Sequence, residues 1–182
     1  VTIENIMFTG TTGIDYTFVT QSQTENLAIN GTASTGNDTI ASGLGADAIV
    51  LGVGNDSIHF AAAANAASVA NTAQTTIGIG SFDQVTGAGV NDVIDLGTAA
   101  DLLAFSFTSG TFQANDDAVT VVRGSIASGF FTASASGDST LVIWDQDTAA
   151  TVDGRGVILV GVVVNGVTLS DAADTITINS IV

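Results

Sequence analysis

Between residues 34 and 60 the chain reads STGNDTIASGLGADAIVLGVGNDSIHF, and its large apolar positions recur at a fixed step. Ile40, Ile49 and Ile58 stand nine residues apart, as do Asp38, Asp47 and Asp56 and the glycines Gly36, Gly45 and Gly54. An apolar residue between two outward-facing neighbours is a three-residue strand with one buried side chain. The six residues between such strands are rich in Gly, Asn and Asp, the composition of a tight turn. Three units follow without a gap, at 33-41, 42-50 and 51-59. Two units close an 18-residue coil, so the turns at 33-38 and 51-56 are predicted to face each other on one side. The turn at 42-47 falls on the opposite side and needs a partner from outside the three units, either near Asn30-Gly31 or after Phe60.

The flanks extend the pattern. ENIMFTGT at 4-11 recurs as ENLAINGT at 25-32, a shift of 21 residues, with Ile6, Phe8, Leu27 and Ile29 alternating with smaller or polar neighbours. Strand-turn units at a fixed spacing predict stacked solenoid rungs over 1-32. The Ala-rich stretch AAAANAASVANTAQTT at 61-76 is the one helix candidate. Beyond it, strand-like apolar runs occupy 77-82, 92-96, 102-108, 118-123, 140-144, 157-164 and 175-182. The expected fold is all-β and one continuous domain: solenoid rungs at 1-32, a parallel β-roll at 33-60, and a β-rich C-terminal region at 61-182 with one short helix. The start, Val1-Thr2-Ile3-Glu4, reads as mid-strand sequence and suggests a piece of a longer protein.

Charge changes the picture. Eighteen acidic residues face only Arg123 and Arg155, for a net charge of −16. Phosphate backbones and anionic lipid surfaces need Lys and Arg, so neither nucleic acid nor membrane is an expected partner. No stretch reaches the roughly 18 apolar residues of a membrane span. A chain this acidic repels itself when compact unless cations neutralise it. Cysteine is absent, which leaves no thiolate metal sites. Proline is absent too, while 21 glycines supply tight turns between strands.

The repeat offers the oxygen ligands a hard cation requires. Glycines let backbone carbonyls converge, and each turn adds a carboxylate. Six to eight oxygens at about 2.3–2.6 Å suit Ca²⁺ better than Mg²⁺, which demands stricter octahedral geometry. The candidate ligands are the carboxylates of Asp38, Asp47 and Asp56 and the turn residues Ala33, Thr35, Gly36, Ser42, Gly43, Leu44, Gly45, Leu51, Gly52, Val53 and Gly54. Asp92 and Asp95 flank Ile94 and are candidates to complete the 42-47 site. Asp145, Asp147 and Asp153, in DQDTAATVDGRG, form either a second calcium loop or a solvated hairpin tip with Arg155 pairing one carboxylate. His59, the only histidine, ends the third unit and is expected to cover the end of the roll, and Trp144 is expected to pack. There is no G-x-S-x-G elbow and no H-E-x-x-H, so the chain is expected not to be an enzyme.

The three units match G-G-x-G-x-D-x-U-x at the fourth, sixth and eighth positions and resemble the calcium-binding repeat of RTX proteins, which bacteria export by type I secretion. Ser34 replaces the second glycine in the first unit, and Ala33, Ser42 and Leu51 replace the first glycine throughout. The segment at 59-97, ending Asp92-Val93-Ile94-Asp95-Leu96, looks like the family's continuation of the roll, except that IGIGSF lacks the usual Asp before Phe. GDSTLVIWDQDTAATVDGRGVILVGV at 137-162 resembles its later hairpin, in which an Asp-rich loop joins two apolar strands. SDAADTITINSIV resembles its uncleaved secretion signal. The Ser/Thr/Ala/Gly-rich, lysine-free style looks most like surface-layer proteins. The resemblance implies Ca²⁺ as cofactor, the type I secretion machinery and other copies of the chain as partners, and an extracellular, cell-surface location. It equally fits the C-terminal module of a secreted protease, lipase or adhesin.

Overall fold

In the computed structural model, the described residues are 5-9, 12-19, 23-60, 67-97, 104-145, 154-170 and 173-182. They form an all-β structure in which the nine-residue step sets the strand order. Strands β1 (Asn5–Met7), β3 (Ala28–Asn30), β5 (Ala48–Val50) and β9 (Gln84–Thr86) pair in parallel in one sheet. Strands β2 (Thr17–Val19), β4 (Thr39–Ala41), β6 (Ser57–His59) and β10 (Val93–Asp95) do the same in a second sheet. From β1 to β6 successive strands alternate between the two sheets, and β9 and β10 resume the alternation. The inward residues are in register, Ile6–Ile29–Ile49–Val85 in one sheet and Phe18–Ile40–Ile58–Ile94 in the other. Ile40, Ile49 and Ile58 are buried as the period requires.

The upstream repeat pairs differently from its sequence match. ENIMF and ENLAIN align at a shift of 21 residues, but Ile6 lies opposite Ile29, 23 residues on. A slip of two keeps every side chain on its own face, so Ile6 still points inward. Phe8 stacks on Tyr16, rings 5.0 Å apart and nearly parallel.

The C-terminal region extends both sheets. Strands β12 (Ala118–Ala127), β13 (Phe130–Ala133), β14 (Ser139–Asp145) and β15 (Gly154–Val160) are antiparallel neighbours, and β15 joins β9 in parallel. The β14–β15 hairpin is the expected pair of apolar strands; its connecting loop, 146-153, lies outside the described residues. Strand β11 (Ala104–Thr108) runs parallel to the first half of β12. The second sheet is extended by a hairpin of β16 (Val164–Ser170) and β17 (Thr175–Ile181), with β17 antiparallel to β10. The apolar run at 157-164 is therefore two strand ends and a turn, at Gly161 with φ +70°.

Strand β14 is buried at every position, which explains its continuous apolar sequence. Val142 and Trp144 face a core shared with Ile40, Ile58 and Ile94, while Leu141 and Ile143 face a second core with Val122, Phe131 and Ile158. Trp144 meets Phe60 at 5.3 Å, joining the last repeat unit to the C-terminal sheet.

The helix expected at 61-76 is not found among the described residues. Ala67–Ser68 is strand β7, paired with β15, Gln74 bridges Phe112, and Thr76–Gly78 is strand β8, paired with β13; residues 61-66 lie outside the described set. Alanine favours helix only weakly. Here the open edges of β13 and β15 offer backbone partners, and Val69, Thr75 and Thr76 suit a strand. No helix among the described residues is long and apolar enough to cross a membrane.

Candidate metal centre

Each aspartate of the repeat accepts, through one oxygen, a backbone N–H from a neighbouring strand-turn segment. Asp56 Oδ1 accepts the N–H of Asp38 at 2.8 Å, and the N–H of Asp56 donates to Asp92 Oδ1 at 2.8 Å. Asp38 Oδ1 accepts the N–H of Tyr16 at 3.0 Å. Asp38, Asp56 and Asp92 thus form one column along an edge of the stack. On the opposite edge Asp47 Oδ1 accepts the N–H of Leu27 at 2.7 Å, and the N–H of Asp47 donates to Asp83 Oδ1 at 2.8 Å. Ser42 Oγ donates to Asp83 Oδ2 at 3.3 Å.

The turns at 33-38 and 51-56 face each other, as the 18-residue spacing predicts. The N–H of Val53 donates to Ser34 O, and that of Asn55 to Asn37 Oδ1. Gly54 sits against the carbonyl of Gly36, where a Cβ would overlap the oxygen. Ala33, Thr35 and Gly36 therefore share an edge with Leu51, Gly52, Val53 and Gly54. The hydroxyl of Thr35 is engaged by the N–H of Gly13. Ser42, Gly43, Leu44 and Gly45 line the other edge, where Leu44 N–H reaches Gln23 O.

Asp92 and Asp95 do not complete the 42-47 turn. Asp92 belongs to the opposite column, and Asp95 bonds His59 Nδ1 at 2.7 Å on the outer face of β10. The carboxylate facing Asp47 is Asp83, which the sequence reading did not single out. Asp83 and Asp92 stand nine apart, as do Val85 and Ile94, and they lie 36 residues beyond Asp47 and Asp56 in sequence yet directly next to them in the columns. The repeat thus resumes at 78-95 after an excursion. There its glycines, Gly78, Gly80, Gly87 and Gly89, occupy the first and third positions and so escape the motif.

Asp145, buried at the end of β14, lies close to Asp116 and Asp117; one carboxylate oxygen of each falls within 4.8 Å of the others. Asp147 and Asp153 lie outside the described residues.

The five column carboxylates are each 3% exposed or less, and none joins an ion pair among the described residues. Asp47 Oδ2 and Asp56 Oδ2 are buried with no hydrogen-bond partner. Without compensation, burial of an anion is costly. Desolvation raises Asp56 to about 6, helped by Asp92 and Asp38 and opposed by the Asp38 N–H. Desolvation raises Asp83 to about 8, opposed by the Asp47 N–H and reinforced by the charge of Asp47. Asp47 and Asp92 are raised by desolvation too.

These shifts fix a pH dependence for the protein without a bound cation. Both carboxyls hold a proton more tightly when folded than at the unfolded value of 3.8. The folded state therefore binds more protons, and stability falls as pH rises from about 4 through 6 and on to 8. The cation-free chain is expected to have more β-sheet signal at pH 5 than at pH 8, by at least about 2 kcal/mol of folding free energy, each pKa unit being worth about 1.4 kcal/mol. The folded fraction in EGTA at the two pH values, read by circular dichroism, measures it.

No protein-family model matches this chain, and no curated protein matches it at a significant level.

Proposed function

We propose that this chain is a calcium-binding structural module of a secreted bacterial surface protein, a β-roll that folds and self-associates when Ca²⁺ fills its turns. The observation that carries this reading is the pair of columns of five buried carboxylates, none in an ion pair among the described residues and two with an unpartnered buried oxygen. The residues suit a hard cation because every candidate donor is an oxygen. Asp38, Asp56 and Asp92, with the facing turns at 33-38 and 51-56, would hold Ca²⁺ on one edge. Asp47 and Asp83, with Ser42 and the 42-47 turn, would hold it on the other. Bound Ca²⁺ supplies the positive charge that the columns lack.

The alternation of strands between two sheets in steps of nine supports the β-roll reading. The acidic turns also suit export. Where free Ca²⁺ is scarce, carboxylate repulsion keeps the chain unfolded for the type I secretion machinery. Outside the cell, Ca²⁺ binds only the folded form and stabilises it, each site at ten times its Kd adding about 1.4 kcal/mol. Folded copies then assemble into a surface-layer array.

Far-UV circular dichroism at pH 7.5, titrated with CaCl₂ and reversed with EGTA, tests this function. A reversible coil-to-β transition is expected. The same β spectrum in both conditions would sink the reading.

A further inference from the structure

The self-association proposed above needs a surface, and we propose that it is the free edge of β11, which pairs antiparallel with β11 of a second copy. This inference rests on that reading for its occupant and on the edge itself for its geometry.

Sheet edges with unpaired N–H and C=O groups are templates for another strand. Among the described edges, β1, β2 and β8 are three residues long. Strand β16 is longer, but its ladder to β17 shifts register between Val164 and Val167, and such bulges blunt an edge. Strand β11 has five residues in unbroken register with β12, and no strand among the described residues pairs with its other side. Its side chains are nearly all exposed, Phe105 at 49% and Phe107 at 44%. The two rings stand on one face, 5.6 Å apart and nearly perpendicular.

Two features select a second copy over another partner. The first is charge. Copies carrying −16 each repel over most of their surface, but β11 has no ionisable side chain. The groove of about 430 Å³ beside Phe107, lined by Val121, Val164 and Val182, contains Arg123 and no acid. The second is self-complementarity. A two-fold axis through Ser106 sets Phe105 of one copy opposite Phe107 of the other, twice, so one aromatic pair serves as both halves of the contact. The contact is small beside a standard interface, so a single one is weak and an array adds many.

The absence of cysteine allows a clean test. Antiparallel partners sit with Cα atoms about 4.5–5.5 Å apart, within disulfide reach. Ser106→Cys, in CaCl₂ under mild oxidation, is expected to yield at least tenfold more covalent dimer than Thr24→Cys, an exposed position elsewhere. Adding Phe105→Glu to Ser106→Cys should remove the excess while leaving the dichroism unchanged. Equal yields from Ser106→Cys and Thr24→Cys, or a wild-type chain that sediments as a monomer up to about 1 mM, would overturn the interface. The calcium reading fails separately: a chain whose spectrum ignores Ca²⁺ but which crosslinks selectively through Ser106→Cys keeps the interface and loses the metal.

Discussion

Asp56→Asn is expected to stabilise the protein without calcium and weaken it with calcium. Asp56 is the middle carboxylate of its column, accepting the Asp38 N–H while its own N–H reaches Asp92. Asparagine keeps an oxygen for the Asp38 N–H. It replaces the buried, unpartnered Oδ2 with a neutral group between two other carboxylates. At pH 7.5 in chelator the folded state no longer holds an anion whose burial raises it to about 6 from 3.8. That relieves about 1–3 kcal/mol. In calcium the same change removes a charged ligand, and the CaCl₂ concentration at half-folding is expected to rise about tenfold. The folded fraction of both proteins in EGTA, read by circular dichroism, and their calcium titrations read the two signs. A substitution that stabilises under both conditions would mean that the carboxylate has no cation to hold.

Gly54→Ala is expected to abolish the calcium response by geometry alone. An alanine Cβ at this position would overlap the Gly36 carbonyl oxygen. Neither backbone is a flexible side chain that can swing away, so the facing coils must part. Parting lengthens the Val53 N–H to Ser34 O bond, 3.0 Å, and the Asp38 N–H to Asp56 bond, 2.8 Å. A loss of about 3 kcal/mol is expected, with no transition at CaCl₂ concentrations that fold the native chain. Gly80→Ala is the control. Its added Cβ meets nothing within 4 Å, and its stability should stay within about 0.5 kcal/mol. Equal behaviour of the two variants would mean that the coils do not stack closely at Gly54.

The repeat between 33 and 59 was legible because each unit carries three constraints at once. Ile40, Ile49 and Ile58 mark burial, Asp38, Asp47 and Asp56 mark the columns, and Gly36, Gly45 and Gly54 stand in the turns. One such signal alone was not enough. Asp83 and Asp92 continue the columns, but their units moved the glycines and follow an excursion, so spacing placed Asp92 near the wrong edge and passed over Asp83. Which edge a carboxylate joins depends on whether an odd or an even number of nine-residue steps intervenes, and an excursion that is not built of such steps hides that number. The 67-78 strands were misread for a related reason. Ala-rich sequence is weakly committed locally, and the partners that make it strand, β13 and β15, lie more than fifty residues downstream.

Amide hydrogen exchange at single-residue resolution, in CaCl₂ and in EGTA at pH 7.5, tests the central claim most directly. The N–H groups of Tyr16, Leu27, Asp38, Asp47 and Asp56 all donate to column carboxylates. If calcium builds the columns, these five amides are protected in CaCl₂ and lose at least a hundredfold of that protection in EGTA. Equal protection of all five in both solutions would show that the carboxylates stack without a cation, and the account would be wrong at its centre.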